Sequence, residues 1–269
     1  MQAENINLKT LKNIIIDVTK KELLPRFANV SHTSKSDKSI VTEADIAAQK
    51  NITAQLKKNW PEIQLLGEEM TVEQQEKILT TEHAVWCLDP LDGTTNFASG
   101  IPYFAISLAL IFKGEVILGA VYDPVRNEYF FAGKNKNNEI SATLNDQVLN
   151  LPDSKTSLSN SVAIVDLKRL SANLAARVAT HPPFASQRNF GASALDWCWM
   201  AANRAQVYLH GNQNIWDYAA GEFIFRAAGG KSVTLEGETV FKQALEKRSV
   251  VAAINETLFY EWTHWLNIK

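Results

Sequence analysis

The chain has 269 residues, 46% of them hydrophobic and 21% charged, with a formal net charge of −2. That is enough material for one large layered core or two adjoining ones, and it gives no overall electrostatic reason to expect nucleic-acid binding. No uncharged run approaches the roughly 18–20 residues of a membrane span.

Leu8, Leu11, Ile14, Ile15, Val18 and Leu23 recur at helical spacing, with Pro25 just beyond the end. A polar loop over 31–39 contains Lys35 and Lys38. These are either plain solvated lysines or basic groups that reach an acidic site. Thr42-Glu43-Ala44-Asp45 reads as a helix start with Thr42 as N-cap, and Ala48, Ile52 and Leu56 carry its apolar stripe to Asn59-Trp60-Pro61. Residues 63–66 predict a short strand ending at Gly67-Glu68-Glu69, residues 71–82 a partly helical segment, and 84–88 an apolar run ending at Asp89. The nearly unbroken apolar stretch 104–112 fits a strand buried on both faces. Lys113-Gly114-Glu115 is a hairpin signal returning into 116–122, residues 128–132 add a third strand, and 135–138 are turn-rich.

The second half alternates. Strands are predicted over 161–165, 205–209, 231–235 and 249–253. Helices are predicted over 168–180, 192–203, 216–228 (closed by Gly229-Gly230) and 256–267. Cys87 and Cys198 stand far apart in apolar surroundings and read as buried free thiols, which fits a reducing compartment. The N-terminus has no signal-like pattern, so a cytoplasmic protein is expected.

Four acidic residues end or adjoin apolar runs: Glu68, Asp89, Asp92 and Asp217. A carboxylate in such a place is costly unless a positive charge compensates it, and hard oxygen ligands suit Mg²⁺. In Asp89-Pro90-Leu91-Asp92-Gly93-Thr94, proline fixes a bend that lets both aspartates converge, and the Leu91 carbonyl can add a neutral oxygen. Gly93 allows close backbone approach, and the following N–H groups can meet a phosphate. Alone, this pentapeptide pattern would be a surface turn. Preceded by Val-Trp-Cys-Leu and followed by Thr-Thr-Asn-Phe, it is more specific than that.

With those residues in view, the chain resembles the inositol monophosphatase family, within the wider group of lithium-sensitive metal-dependent phosphatases. The resemblance rests on Trp86–Phe97, Gly67-Glu68-Glu69, Thr42–Asp45 and Trp216–Gly221. It implies a single unit over 1–269 with an α-β-α-β-α layered sandwich of mixed α+β and α/β character. Residues 1–152 would carry an antiparallel sheet with the metal and phosphate sites. Residues 153–269 would carry a mixed sheet with the substrate pocket and the last metal ligand. It further implies that Glu68, Asp89, the Leu91 carbonyl, Asp92 and Asp217 hold two or three Mg²⁺ ions per subunit, with Asp89 shared between two of them. Thr94 and Asp45, with Glu68, would orient and activate the attacking water, and the Gly93 and Thr94 N–H groups would hold the phosphate. The expected activity is hydrolysis of a small phosphate monoester resembling inositol 1-phosphate. A homodimer is also implied, and the helix bearing Trp197 and Trp199 is compatible with its contact.

Each of these residues has a plainer alternative: Thr42 and Asp45 as a helix cap, Asp217 as a charge favourable at a helix start. The five histidines show no zinc spacing. The sequence departs from the family seven residues before Asp217, where relatives usually carry a glutamate that binds an inositol hydroxyl. Here the residue is His210, which is expected to shift preference away from inositol. Gly191, Ala192 and Ser193, with Arg188 before them, are expected to line the leaving-group pocket beside His210 and Asp217. Histidinol phosphate and sugar or glycerol phosphates remain alternative substrates. A binding or regulatory protein without turnover remains the alternative class.

Overall fold

The computed structural model describes residues 6–34, 40–81, 83–134, 139–152 and 156–268. Lys35, Lys38 and the turn 135–138 lie outside the described residues.

Helix α1 (Leu8–Val18) is capped by the Asn7 side chain and buries Leu11, Ile14, Ile15 and Val18, but Leu8 faces solvent. Its last residues tighten and loosen through a π turn at Thr19–Leu23 and a 3₁₀ turn at Leu24–Arg26, where Pro25 ends the helix. The loop that follows contains a small hairpin, β1 (His32–Ser34) against β2 (Ile40–Thr42), which the polar sequence did not announce. Helix α2 (Glu43–Asn59) starts at a capping box between Thr42 and Asp45.

The first large sheet runs β3 (Gln64–Gly67), β4 (Val85–Asp92), β5 (Ala105–Phe112), β6 (Glu115–Asp123), β7 (Glu128–Lys134), β8 (Ile140–Leu144) and β9 (Gln147–Leu149) in chain order. Helix α3 (Val72–Leu79) joins β3 to β4, and a crossover helix of this kind brings its two strands in parallel. The sheet is therefore mixed and not purely antiparallel as expected. The other pairs are antiparallel. Short helix α4 (Thr94–Ala98) leaves directly from the end of β4.

The second sheet has the order β11-β10-β12-β14-β13, from β10 (Val162–Asp166), β11 (Ser186–Arg188), β12 (Val207–Gln213), β13 (Lys231–Val233) and β14 (Arg248–Ala253). β10 pairs in parallel with both β11 and β12, and β14 antiparallel with its neighbours, which makes the sheet mixed as predicted. Helices α5 (Ala172–Thr180), α6 (Ser193–Ala201), α7 (Ile215–Ala227) and α8 (Glu256–Leu266) complete this half. The predicted helix over 168–180 starts late, because Asp166 caps a 3₁₀ turn (Leu167–Arg169) and Ser171 then caps α5. β12 continues past the predicted end at Leu209, carrying polar residues 210–213 through a bulge.

Two apolar clusters set the layers. Because side chains alternate along β4, Trp86 and Leu88 pack with α1 and α2, while Val85 and Cys87 pack with the cluster containing α6 and α7. α7 contacts β4, β5 and β6 on that side. The small sheet lies beyond α6, where Tyr208 meets Trp197 edge to face. α8 covers its far surface, and the Trp262 indole donates to the Tyr208 carbonyl. The result is the expected α-β-α-β-α sandwich. Both cysteines are buried free thiols.

Candidate active site

The C-terminal end of β4 is where the sequence pattern becomes chemistry. Proline at 90 supplies no N–H, and the Asp89 Oδ1 instead accepts from the Leu91 N–H at 3.0 Å. One residue more is accommodated on β4 than on β5 between the pairs Asp89↔Ser107 and Asp92↔Ala105. This bulge turns the strand end so that both aspartates face one cleft. Gly93 then adopts φ +88°, where a Cβ would come within 3.0 Å of both Ala192 Cβ and the Tyr103 carbonyl. The turn needs glycine on both counts.

An open cleft is lined by Glu68, Asp89, Leu91, Asp92, Gly93, Thr94 and Asp217. Each aspartate is held by an adjoining helix or turn. Asp92 accepts from the Ser193 N–H (3.2 Å) and the Ala194 N–H (2.6 Å), and so caps α6, whose own N-cap Ala192 has no side-chain acceptor. Asp217 Oδ2 accepts from the Asn214 N–H at 2.8 Å, in a capping box at the start of α7. The plainer reading of Asp217 as a helix-start residue is therefore correct as far as one oxygen goes, and the carboxylate still lines the cleft.

Burial, then repulsion from Glu68, Asp92 and Asp217, holds the Asp89 carboxyl well above the ordinary carboxylate range. Burial and the nearby Asp217 do the same to Asp92. Burial and Glu68 push Asp217 up to about 7. Among the described residues, no three His, Cys, Asp or Glu side chains form a ready-made metal-ion cluster. The donor chemistry nevertheless fits Mg²⁺: hard carboxylate oxygens and a backbone carbonyl, crowded and buried so that an added cation relieves their mutual repulsion.

Asp45 and Thr94 form the second device. One Asp45 oxygen accepts from the Thr42 N–H (2.8 Å) and hydroxyl (2.5 Å), and the other accepts from the Thr94 hydroxyl at 3.0 Å. Asp45 is thus a helix cap and a partner of Thr94 at once. Burial raises its carboxyl above the ordinary range. The Thr94 hydroxyl also lies 3.0 Å from the Leu91 carbonyl.

Other expectations fall elsewhere. Arg188 lies on the exposed outer strand β11, its guanidinium turned back on Ser186 Oγ and the Gln187 carbonyl, and it does not line the cleft. Ala192 and Ser193 sit behind the cleft wall while Gly191 lines it. Trp197 is fully buried against Tyr208 and Phe225 and offers no surface for a subunit contact. Trp199 is half-buried between Arg126 and Arg204.

Asp166, Arg169, Asn212 and Lys247, none of them among the residues expected from sequence, also line the cleft with His210. Asp166 carries the same signal that flagged Asp89, an acid ending the apolar run 162–165. Lys247 favours ionisation of Asp217 through its charge, and nothing in the local sequence marks it.

A profile described as the inositol monophosphatase family matches residues 2–264. A Pasteurella multocida (strain Pm70) protein named Nus factor SuhB is 34% identical over 203 residues, covering 74% of this chain and 73% of that protein. An inositol-1-monophosphatase of Bacillus subtilis (strain 168) is 30% identical over 239 residues, 86% of each chain. The solved structure of a Thermotoga maritima IMPase superposes with a TM-score of 0.81 at 27% identity, covering 97% of this chain and 96% of that one. Among the described residues, no helix is long and apolar enough to cross a membrane.

Proposed function

The chain belongs to the inositol monophosphatase family, and from that premise we propose that it is a Mg²⁺-dependent phosphomonoesterase acting on a small-molecule phosphate ester. The observation that carries this reading is the convergence of Glu68, Asp89, Asp92 and Asp217 on one cleft, beside a hydroxyl backed by a buried carboxylate.

Glu68, Asp89, the Leu91 carbonyl, Asp92 and Asp217 are the groups that would hold the cations. Bound Mg²⁺ would neutralise phosphate oxygens, acidify the attacking water and stabilise the departing alkoxide. The chain's own residues supply position and a proton path. Gly93 and the first turn of α4 present N–H groups that have no intrahelical acceptor, suited to phosphate oxygens. The Thr94 hydroxyl donates inward to Asp45, so its oxygen accepts from an attacking water on the cleft side. As that water loses its proton to Thr94, Thr94 passes its own to Asp45, whose raised carboxyl makes it the better base. No Cys, Ser or His nucleophile is needed.

A cytoplasmic homodimer belongs to the same reading. A second reading, a non-catalytic binding role, draws on the relatives named Nus factor SuhB. A phosphate-release screen over phosphate esters with Mg²⁺, with and without Li⁺, separates the two. Li⁺-sensitive turnover supports the phosphatase, and no turnover on any ester supports the second reading.

A further inference from the structure

A further part of the cleft, away from the residues that fix Asp89 and Asp92, is built by two neighbouring parallel strands. Asp166, the last residue of β10, stands in register with His210 of β12. The His210 Nδ1 accepts from the Asn212 N–H at 3.1 Å. With that nitrogen an acceptor, the ring proton of a neutral imidazole sits on Nε2, and Nε2 faces Asp166 Oδ2 at 3.5 Å. Nδ1 is therefore committed within the protein, Nε2 is turned toward Asp166, and the residue is 6% exposed.

Asp166 is differently placed. Its Oδ1 accepts from the Lys168 N–H at 3.0 Å, its side chain is 20% exposed, and it lines the cleft. A carboxylate has about four acceptor sites, so capacity remains toward the cleft. Burial pushes its carboxyl upward, but the His210 imidazole beside it, the Lys168 N–H and the charge of Arg169 together keep it below the ordinary range. Burial lowers the His210 imidazole, which favours its neutral form. The turn carrying Asp166 is locked against β12, since a Cβ at Gly211 would drive into the Arg169 carbonyl.

We infer that Asp166 is the specificity residue that accepts a hydrogen bond from a hydroxyl of the leaving alcohol, and that His210, which also borders the cleft, is a positioning residue acting through Asp166. The inference rests on the phosphatase reading above. Arg169, exposed at the same end of the cleft, supplies a donor for an adjacent oxygen. Its charge already acts on Asp166 and His210, which disfavours an alcohol bearing an ammonium group at this position.

The test compares kcat/KM on a polyol phosphate (inositol 1-phosphate or glycerol phosphate) with that on phenyl phosphate, which has no hydroxyl to offer. Asn at 166 keeps the acceptor for the Lys168 N–H and removes the charge. Asp166→Asn is expected to lower the polyol-to-phenyl ratio about 10- to 100-fold, mainly through KM, with the unfolding midpoint near wild type. Asp166→Glu, which keeps the charge, should retain more of the ratio. His210→Ala should lower the ratio in the wild-type background and add almost nothing to Asp166→Asn. Equal losses on both esters in Asp166→Asn would overturn the inference. So would a His210→Ala effect undiminished in the Asp166→Asn background. A wild type inactive on both esters would overturn the phosphatase reading and this inference with it, whereas an active wild type with an unaltered ratio in Asp166→Asn overturns this inference alone.

Discussion

The two ends of the cleft are built by opposite means. At the aspartate end, each acidic side chain is fixed within a few residues of itself or by the start of a helix: Asp89 by the Leu91 N–H, Asp217 by Asn214, Asp92 by the first turn of α6. At the other end, Asp166 and His210 meet only because two strands pair in one register, although 44 positions separate them in sequence. Backbone-anchored carboxylates suit chemistry that must stay constant. A side-chain couple across strands can change with one substitution, which is where selectivity for different alcohols would be expected to vary.

That contrast predicts unequal damage. Asp92→Asn removes a charge from the aspartate cluster while leaving an acceptor for α6. It should depress turnover of polyol and aryl esters alike by more than the roughly 10–100-fold that outer partners of metal sites command. Steady-state phosphate release with Mg²⁺ titrated to saturation measures this, and a loss confined to one ester class would break the division between the two ends.

Gly211→Ala strikes the other end. The new methyl must displace the Arg169 carbonyl, destabilising the fold by about 1–3 kcal/mol and lowering the polyol-to-phenyl ratio. Mg²⁺ affinity should stay within about twofold, because the sites are separate. Calorimetric unfolding and Mg²⁺ titration check both halves of that expectation.

The smallest effect is electrostatic. Asp89, Asp92 and Asp217 bind protons more tightly folded than an unfolded aspartate does, Asp217 to about 7. Their contribution to stability is therefore fully present below about pH 4, the unfolded value, and is lost as pH rises through the folded value. Chelated protein should show a midpoint that declines between pH 5 and 8. Added Mg²⁺ should raise the midpoint by a few degrees at pH 8 and by less at pH 5. A Mg²⁺ shift independent of pH would contradict the burial and repulsion assigned to these carboxyls.

Much of the aspartate end was legible in the sequence for the reason it is robust. Asp89-Pro90-Leu91-Asp92-Gly93-Thr94 encodes its own bulge and turn locally, and Thr42–Asp45 encodes its own cap. The long apolar strand 104–112 and its hairpin were equally plain, since both faces of that strand are covered. What escaped was non-local. The parallel pairing of β3 with β4 depends on α3 crossing over, and the extension of β12 through His210 ran against a polar local sequence. Arg188 was expected in the pocket from its nearness to Gly191, but β11 leaves it exposed on the outer edge. Asp166 carries a local mark, an acid closing the apolar run 162–165, but its place beside His210 depends on the register of β10 with β12.

If the carboxylates at the end of β4 and the start of α7 hold the cations on which phosphate-ester hydrolysis depends, titrating Mg²⁺ into the chelated protein should restore phosphate release from inositol 1-phosphate or phenyl phosphate. Turnover should rise from baseline to saturation with Mg²⁺ on at least one of the two esters. A rate that is the same with chelator as with saturating Mg²⁺ would contradict it.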